Sequence, residues 1–245
     1  MRMFLFSLLF VSALTACNKD ESGGIPSLTL IRTFELDVPE PSGLSFTSGK
    51  TALYTVSDET GSFYKITFEG KLLSKVDCNG NDFEGITYNG TDKSIWIVEE
   101  RRREILKFNL QGNKQGTFEL DIPEYSANNG PEGITVNEKN GHLFFINEKN
   151  PALLIELDEN LRKLNEYSLS FANDYSGIFY DSDIDKLWII SDESSTVTKC
   201  ELNGKAIESF HLSINQAEGI VVDSKNKLLY ALSDSLEKLY VFELK

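Results

Sequence analysis

Two short motifs recur five times along this chain, and both carry acids. The first is a turn built around a glycine: Pro41-Ser42-Gly43-Leu44, Phe83-Glu84-Gly85-Ile86, Pro131-Glu132-Gly133-Ile134, Tyr175-Ser176-Gly177-Ile178 and Ala217-Glu218-Gly219-Ile220. The second is an apolar run that ends in Asp58, Glu100, Glu148, Asp192 and Asp234 in turn. Glu40, Asp82 and Asp174 stand just ahead of Ser42, Glu84 and Ser176. If the fold gathers these positions, a ring of carboxylates converges. Two like charges about 4 Å apart repel by roughly 4 kcal/mol at an effective dielectric of 20. Such a ring needs water between its members, proton uptake or a cation. Calcium suits it, taking about six to eight oxygen ligands in flexible geometry. A soft metal does not, since no Cys or His belongs to the set. The candidate metal ligands are therefore Glu84, Glu132 and Glu218 with Asp58, Glu100, Glu148, Asp192 and Asp234. Two plainer readings stay open. The glutamates would serve equally by binding backbone amides of a neighbouring repeat, and the second set of acids are ordinary turn residues.

The elements that must position these acids follow from their spacing. Gly43, Gly85, Gly133, Gly177 and Gly219 lie 42, 48, 44 and 42 residues apart. Each glycine motif opens one short strand. A second strand ends at the acid (Leu53–Asp58, Ile95–Glu100, Leu143–Glu148, Leu187–Asp192, Leu228–Asp234), and a third and a fourth follow. The strands are short, β-branched or aromatic, and separated by Gly, Asn and Asp turns, with no amphipathic helix among them. A repeat of this length with four strands is the sign of a β-propeller blade. The fold expected is all-β, a five-bladed β-propeller with four antiparallel strands per blade. The fifth repeat stops after its third strand, and Leu28–Asp37 resembles the fourth strand Gly116–Ile122. The N-terminal strand is thus expected to complete the last blade and remove an open edge. The long interval is an insertion at Tyr125–Gly130. Inner strands crowd near the axis, and glycine permits close backbone approach there.

Arg101-Arg102-Arg103 is the one basic cluster, placed in the loop after the second strand of blade two, on the acid side. It would either clamp an anionic ligand or offset the acid ring. Trp96, Trp188, Tyr54 and Tyr230 fall at repeating positions and are expected to pack between blades. Of the two histidines, His142 is placed on the opposite face and His211 in an outer strand. No nucleophile elbow, P-loop or dinucleotide fingerprint is present.

The first residues read as an export signal. Arg2 precedes an apolar run, Met3 to Ala13, of signal-peptide length and too short to span a membrane. Leu14-Thr15-Ala16-Cys17 looks like a bacterial lipobox, which would make 1–16 a signal peptide and Cys17 a lipidated N-terminus. Residues 17–27, ending in Ser-Gly-Gly, read as a tether, and 28–245 as the propeller domain. Lys19-Asp20-Glu21 resembles the surface-export tag of some outer-membrane lipoproteins and is equally an ordinary charged tether. The expected location is the bacterial cell envelope, membrane-anchored, the outer membrane favoured over the inner. With 24 basic and 38 acidic side chains the net charge is −14, which argues against nucleic acid as a partner. A monomer is expected. Cys78 and Cys200 fall in non-neighbouring blades and are expected not to pair.

The tandem Glu-Gly-Ile turns, the acid-terminated second strands and the lipoprotein-like start together resemble the SdiA-regulated family, over about Leu28 to Lys245. The resemblance implies a five-bladed propeller with a bound calcium ion, distantly related to NHL-repeat propellers, and no settled biochemical role. Three functions fit: a calcium-binding propeller presenting a face to a protein or small-molecule ligand, a calcium-dependent hydrolase of the lactonase or phosphoesterase type, and a scaffold without metal. The lack of a histidine beside the acids favours the first over the second.

Overall fold

The computed structural model describes residues 28–122 and 129–245. Most of the Tyr125–Gly130 insertion, and the whole segment holding Cys17, lie outside them. The N-terminal strand β1 (Thr29–Glu35) leads into blade one, β2 (Pro41–Phe46), β3 (Leu53–Ser57), β4 (Ser62–Ile66) and β5 (Leu72–Asp77). Blade two is β6 (Phe83–Asn89), β7 (Ser94–Glu99), β8 (Glu104–Asn109) and β9 (Lys114–Glu119). Blade three is β10 (Pro131–Val136), β11 (Leu143–Asn147), β12 (Leu153–Leu157) and β13 (Lys163–Ser168). Blade four is β14 (Gly177–Asp181), β15 (Lys186–Ser191), β16 (Thr196–Cys200) and β17 (Ala206–His211). Blade five is β18 (Ala217–Asp223), β19 (Leu228–Ser233) and β20 (Lys238–Glu243).

Each blade is an antiparallel four-stranded sheet, and the fifth is completed by β1, in the order β1-β20-β19-β18. Thr29 pairs with Glu243 and Glu35 with Lys238, so the first strand closes the ring as its sequence suggests. Among the described residues, helix is confined to a 3-10 turn at Ser48–Lys50. The inner strands β2, β6, β10, β14 and β18 touch in cyclic order around the axis. The second strands read as unbroken apolar runs, such as SIWIVE in β7 and LFFIN in β11, because both of their faces are covered by neighbouring blades. The core is accordingly five apolar clusters set between blades. One joins Tyr54, Val56 and Phe63 of blade one to Ile86, Tyr88 and Ile97 of blade two. Tyr54 meets Tyr88 at 6.1 Å between ring centroids, and Tyr230 meets Phe68 of blade one at 5.2 Å. Trp96 and Trp188 lie in two further clusters of this kind. Cys78 and Cys200, in blades one and four, are both free and buried.

The repeated glycine is explained at the axis. A Cβ on Gly177 would stand 2.3 Å from the carbonyl oxygen of Glu218, and one on Gly85 would stand 2.7 Å from that of Glu132. Gly219 faces the backbone of Gly43 in the same way, which closes the circle. Five inner strands therefore meet backbone to backbone, with only about 10 Å³ of free space between them, and the channel is pinched shut at this waist. Below the waist Phe46 of blade one and Phe179 of blade four meet edge to face at 5.6 Å, and Asp183 pairs with Lys50 at 3.3 Å and Lys225 at 2.9 Å. Blades one and four are not neighbours, so these contacts reach across the lower mouth. The waist thus divides the axis into two cups, one on the acid side and one of about 250 Å³ on the other, lined by Ser45, Phe46, Thr87, Thr135 and Phe179 among others.

Candidate functional site

The acids gather at one end of the axis. Strand one of each blade starts at this face and strand two returns to it. The repeated acid turned out not to be the last residue of strand two. The strands end at Ser57, Glu99, Asn147, Ser191 and Ser233, and the acid is the first residue of the turn beyond. Its backbone amide is held by a carbonyl ahead of strand one: Asp58 by Glu40, Glu100 by Asp82, Glu148 by Gly130 and Asp234 by Gln216, at 2.9–3.2 Å. Glu40, Asp82 and Gln216 adopt positive φ to present that carbonyl. The strand-one acids Glu84, Glu132 and Glu218 sit at ladder irregularities, between Phe83 and Ile86, Pro131 and Gly133, and Ala217 and Gly219, and blade one has its irregularity at Gly43, directly after Ser42. A bulge turns a side chain out of the strand's alternation. Here it aims Ser42, Glu84, Glu132 and Glu218 along the axis.

The result is a cavity of about 230 Å³ lined by Glu40, Ser42, Asp58, Glu84, Glu132, Glu148, Asp174, Ser176, Asp192, Glu193, Glu218 and Asp234. Glu100 stands beside it rather than in its wall, yet belongs to one of two tight acid groups. Glu100, Glu132 and Glu148 bring carboxylate oxygens within 4.8 Å of one another, as do Asp58, Asp82 and Glu84. Burial in low dielectric disfavours the charged form of a carboxyl group, and a neighbouring carboxylate adds to the effect. Glu84 and Glu132 are pushed well up, first by burial and next by the nearby charges of Glu218 and Glu84 respectively. Glu218 is pushed up to about 8 by burial and the neighbouring Asp234, and Asp58 to about 7 by burial and Asp82. Burial also raises Glu100, Glu148 and Asp234.

The bonds inside the ring divide the acids into two kinds. Some are tied to amides or hydroxyls of a neighbouring blade or of their own. Glu100 Oε1 accepts the Gly130 amide at 2.9 Å, and Asp192 Oδ1 the Ala217 amide at 3.2 Å. Glu84 Oε2 accepts the Ser42 hydroxyl at 2.9 Å. Asp174 accepts the Ser191 hydroxyl and the Glu193 amide. The blade-to-blade amide role considered for the strand-one glutamates thus falls to two strand-two acids instead. Asp234 Oδ1 is the other kind, buried without a hydrogen-bond partner. An orphaned carboxylate oxygen, two separate acid triads whose own oxygens converge and an all-oxygen donor set fit a hard cation.

The arginines are engaged. Arg101 Nε lies 2.9 Å from Asp82 Oδ2, and Arg102 Nη1 lies 3.3 Å from Glu99 Oε1. Both pairs offset acid charge within blade two, and both guanidinium groups keep an exposed edge. Arg103 lies in the same turn with φ 55°. His142 stands on the far side of blade three, with Nδ1 2.7 Å from Glu156. His211 ends the outer strand β17.

Three residues escape the repeat reading. Glu193 joins the cavity wall, and Lys149 bridges it to Glu148 at 2.9 and 2.7 Å. Glu99 is fully buried, neither of its oxygens is hydrogen-bonded, and burial raises its pKa against the opposing pull of Arg102. A signal for Glu99 was present in the aligned repeats. The other blades place Ser57, Asn147, Ser191 and Ser233 there, and those side chains bond to adjacent turns.

The family model of SdiA-regulated proteins matches residues 32–243, from β1 to the end of β20. The chain belongs to the SdiA-regulated family. Several solved propellers resemble this SdiA-regulated protein. A gluconolactonase from Xanthomonas campestris aligns over 90% of this chain and 97% of its own, with TM-score 0.58 and 10% identity. A catalytically inactive virginiamycin B lyase from Staphylococcus aureus, with quinupristin, aligns over 84% and 66%, with TM-score 0.54 and 17% identity. A chain of a nidogen–laminin complex aligns over 81% and 78%, with TM-score 0.58 and 13% identity. At these identities the shared property is the propeller fold, which serves unrelated activities.

Proposed function

We propose that this SdiA-regulated protein is an exported, lipid-anchored propeller that binds calcium in its acid cup and presents the cup's rim to a ligand. The observation that carries the calcium reading is the crowding of Asp58, Asp82, Glu84, Glu100, Glu132 and Glu148 into two groups of converging oxygens. Glu84, Glu132, Glu218, Asp58, Glu148 and Asp234 would hold the ion, and Glu100 and Asp192 would fix the blades around it. Calcium, when bound, supplies positive charge to the ring and polarises a ligand oxygen. The chain's own residues do the rest. Lys149, Arg101 and Arg102 stand at the rim with charge for an anionic ligand. The closed waist makes the acid face the route in and out.

A second reading is a calcium-dependent hydrolase. It is favoured by the room in the cup, about 230 Å³, and by Asp58, whose pKa near 7 suits a general base at neutral pH. The gluconolactonase likeness shares only the fold. Calorimetric titration of metal-free protein with calcium tests the first reading, and binding should release protons, because the raised carboxylates must ionise. Glu132→Gln with Glu218→Gln should abolish that heat. A panel of lactones and phosphoesters, with and without calcium, separates the two. Turnover that the double variant removes, with the fold intact, would replace binding by hydrolysis.

The anchor has its own expected result. Cys17→Ala should move the protein from the membrane fraction to the soluble periplasmic or secreted fraction. Continued membrane fractionation would remove the lipoprotein reading.

A further inference from the structure

The two ends of the propeller differ in surface chemistry. Strand four of each blade starts at the face opposite the cup, because the strands alternate in direction from β2 onward. In four of the five blades those starts carry exposed aliphatic side chains: Leu72 and Leu73 in β5, Leu164 in β13, Ile207 in β17, and Leu30 and Ile31 in β1, while β9 starts with Lys114 and Gln115. Ile184 is exposed in a turn of the same face, whereas toward the acid face the exposed large apolar side chains among the described residues are Leu236, in a turn, and Phe118, near the end of β9. A lone exposed leucine needs no explanation, but a belt repeated at one rim does.

The belt is interleaved with lysine. Lys71 and Lys163 sit immediately before Leu72 and Leu164, Lys205 sits two residues before Ile207, Lys114 opens β9, and all four are exposed, with Glu69, Asp158, Glu159 and Glu201 in the same turns. The acids of the cup lie at the other end. A chain of net charge −14 therefore turns its most acidic face one way and a lysine-bearing, aliphatic rim the other. Aliphatic groups with lysines able to extend their ammonium groups beside them suit a bilayer interface, apolar stems at headgroup depth and charges on lipid phosphates.

The chain's entry point decides which way that rim faces. Thr29 pairs with Glu243 at the lower end of β20, so the chain enters the propeller on this rim. From Cys17 to Leu28 it can reach roughly 40 Å at most. A lipid on Cys17 would thus hold the belt, rather than the cup, next to the bilayer.

We propose that the lower rim, from Leu30 and Ile31 through Leu72, Leu73, Leu164 and Ile207 with its lysines, docks on the surface of an anionic lipid bilayer and holds the acid cup facing away from it. The proposal rests on Cys17 being the anchor. Docking sets the orientation of the site. Ligands reach the cup from the aqueous side, and the strongly acidic mouth stays clear of like-charged headgroups.

The test uses the buried positions of Cys78 and Cys200, which leave a new surface thiol as the one that labels. Leu73→Cys, Ile207→Cys and Leu236→Cys each receive an environment-sensitive fluorophore. All three are exposed, so the fold should survive. One arm uses the acylated protein in phosphatidylglycerol–phosphatidylethanolamine vesicles. A second uses the chain from residue 17 with Cys17→Ala and an N-terminal polyhistidine tag, held on the same vesicles by nickel-chelating lipid. Quenching by spin-labelled lipid should be at least threefold stronger at positions 73 and 207 than at 236, in both arms. Equal quenching at all three positions in the tagged arm, or stronger quenching at 236, overturns the docking. Failure of the native protein to float with vesicles, with the gradient intact in the tagged arm, removes the acyl anchor and leaves the docking surface standing.

Discussion

Metal-free protein should lose thermal stability as pH rises from about 5 to about 8, and calcium should restore it. The sign follows from the direction of the shifts. Asp58 is raised to about 7 and Glu218 to about 8, and Glu84 and Glu132 are also raised well above the ordinary carboxylate value. In the unfolded chain these groups ionise near pH 4. Between the two values the folded state holds protons that the unfolded state has released. Stability then falls with rising pH. The contribution is complete below about pH 4 and disappears as pH passes through about 7 to 8. Calcium binds the ionised ring, so its stabilisation grows over the same window. At a hundredfold excess over Kd it supplies about 2.7 kcal/mol. For a domain of this size that is a rise of roughly 5–10 °C in the unfolding midpoint. The measurement is a set of thermal scans at several pH values, with calcium, with magnesium and with chelator. A chelated protein more stable at pH 8 than at pH 5 would mean that the acids are not forced together. A response to magnesium equal to that with calcium would contradict the choice of ion, since magnesium demands a tighter octahedral shell.

How far the site was legible depended on which residues repeat. The five-blade ring and its closure by β1 could be read because each blade must bury the same faces, and so the sequence returns to the same pattern at nearly constant intervals. The convergence of Glu84, Glu132, Glu218 and Asp234 was readable for the same reason, since glycine and acid occupy fixed places in that pattern. Glu193 and Lys149 were hidden because they stand in turns whose sequences differ from blade to blade. The contacts across the lower mouth were hidden more deeply. The Phe46–Phe179 contact and the Lys50–Asp183 pair join blades that are not neighbours, so no pairing or spacing rule along the chain foretells them. Strand ends were misplaced by one residue for a physical reason. The acid's amide bonds across to the residue ahead of strand one, which ends the ladder and frees the side chain to face the cup.

Gly177→Ala should damage the fold strongly, and Gly90→Ala should be mild. At Gly177 the new Cβ meets the Glu218 carbonyl oxygen at 2.3 Å and the Ile190 side chain at 2.9 Å. The oxygen belongs to the backbone of an inner strand, which is itself packed against the next inner strand around a closed ring. No side chain can rotate to make space, so blades four and five must separate. Overpacking of a fixed core costs about 1–3 kcal/mol and more where nothing can move. The expected loss here is about 3 kcal/mol or above, a fall of roughly 6–12 °C in the midpoint. At Gly90 the nearest atom is the Tyr88 ring at 3.9 Å, and alanine there should be neutral or stabilising by a few tenths of a kcal/mol through the unfolded chain. The pair also probes function. Glu218 precedes Gly219 on the displaced strand and lines the cup, so Gly177→Ala should weaken calcium binding even at temperatures where the protein remains folded. Gly90 lies beyond the end of β6 on the opposite face, and its variant should bind calcium as the parent does. If Gly177→Ala melted with the parent, the inner strands would have room that their close approach denies, and the closed waist that separates the acid cup from the lower mouth would have to be abandoned with it.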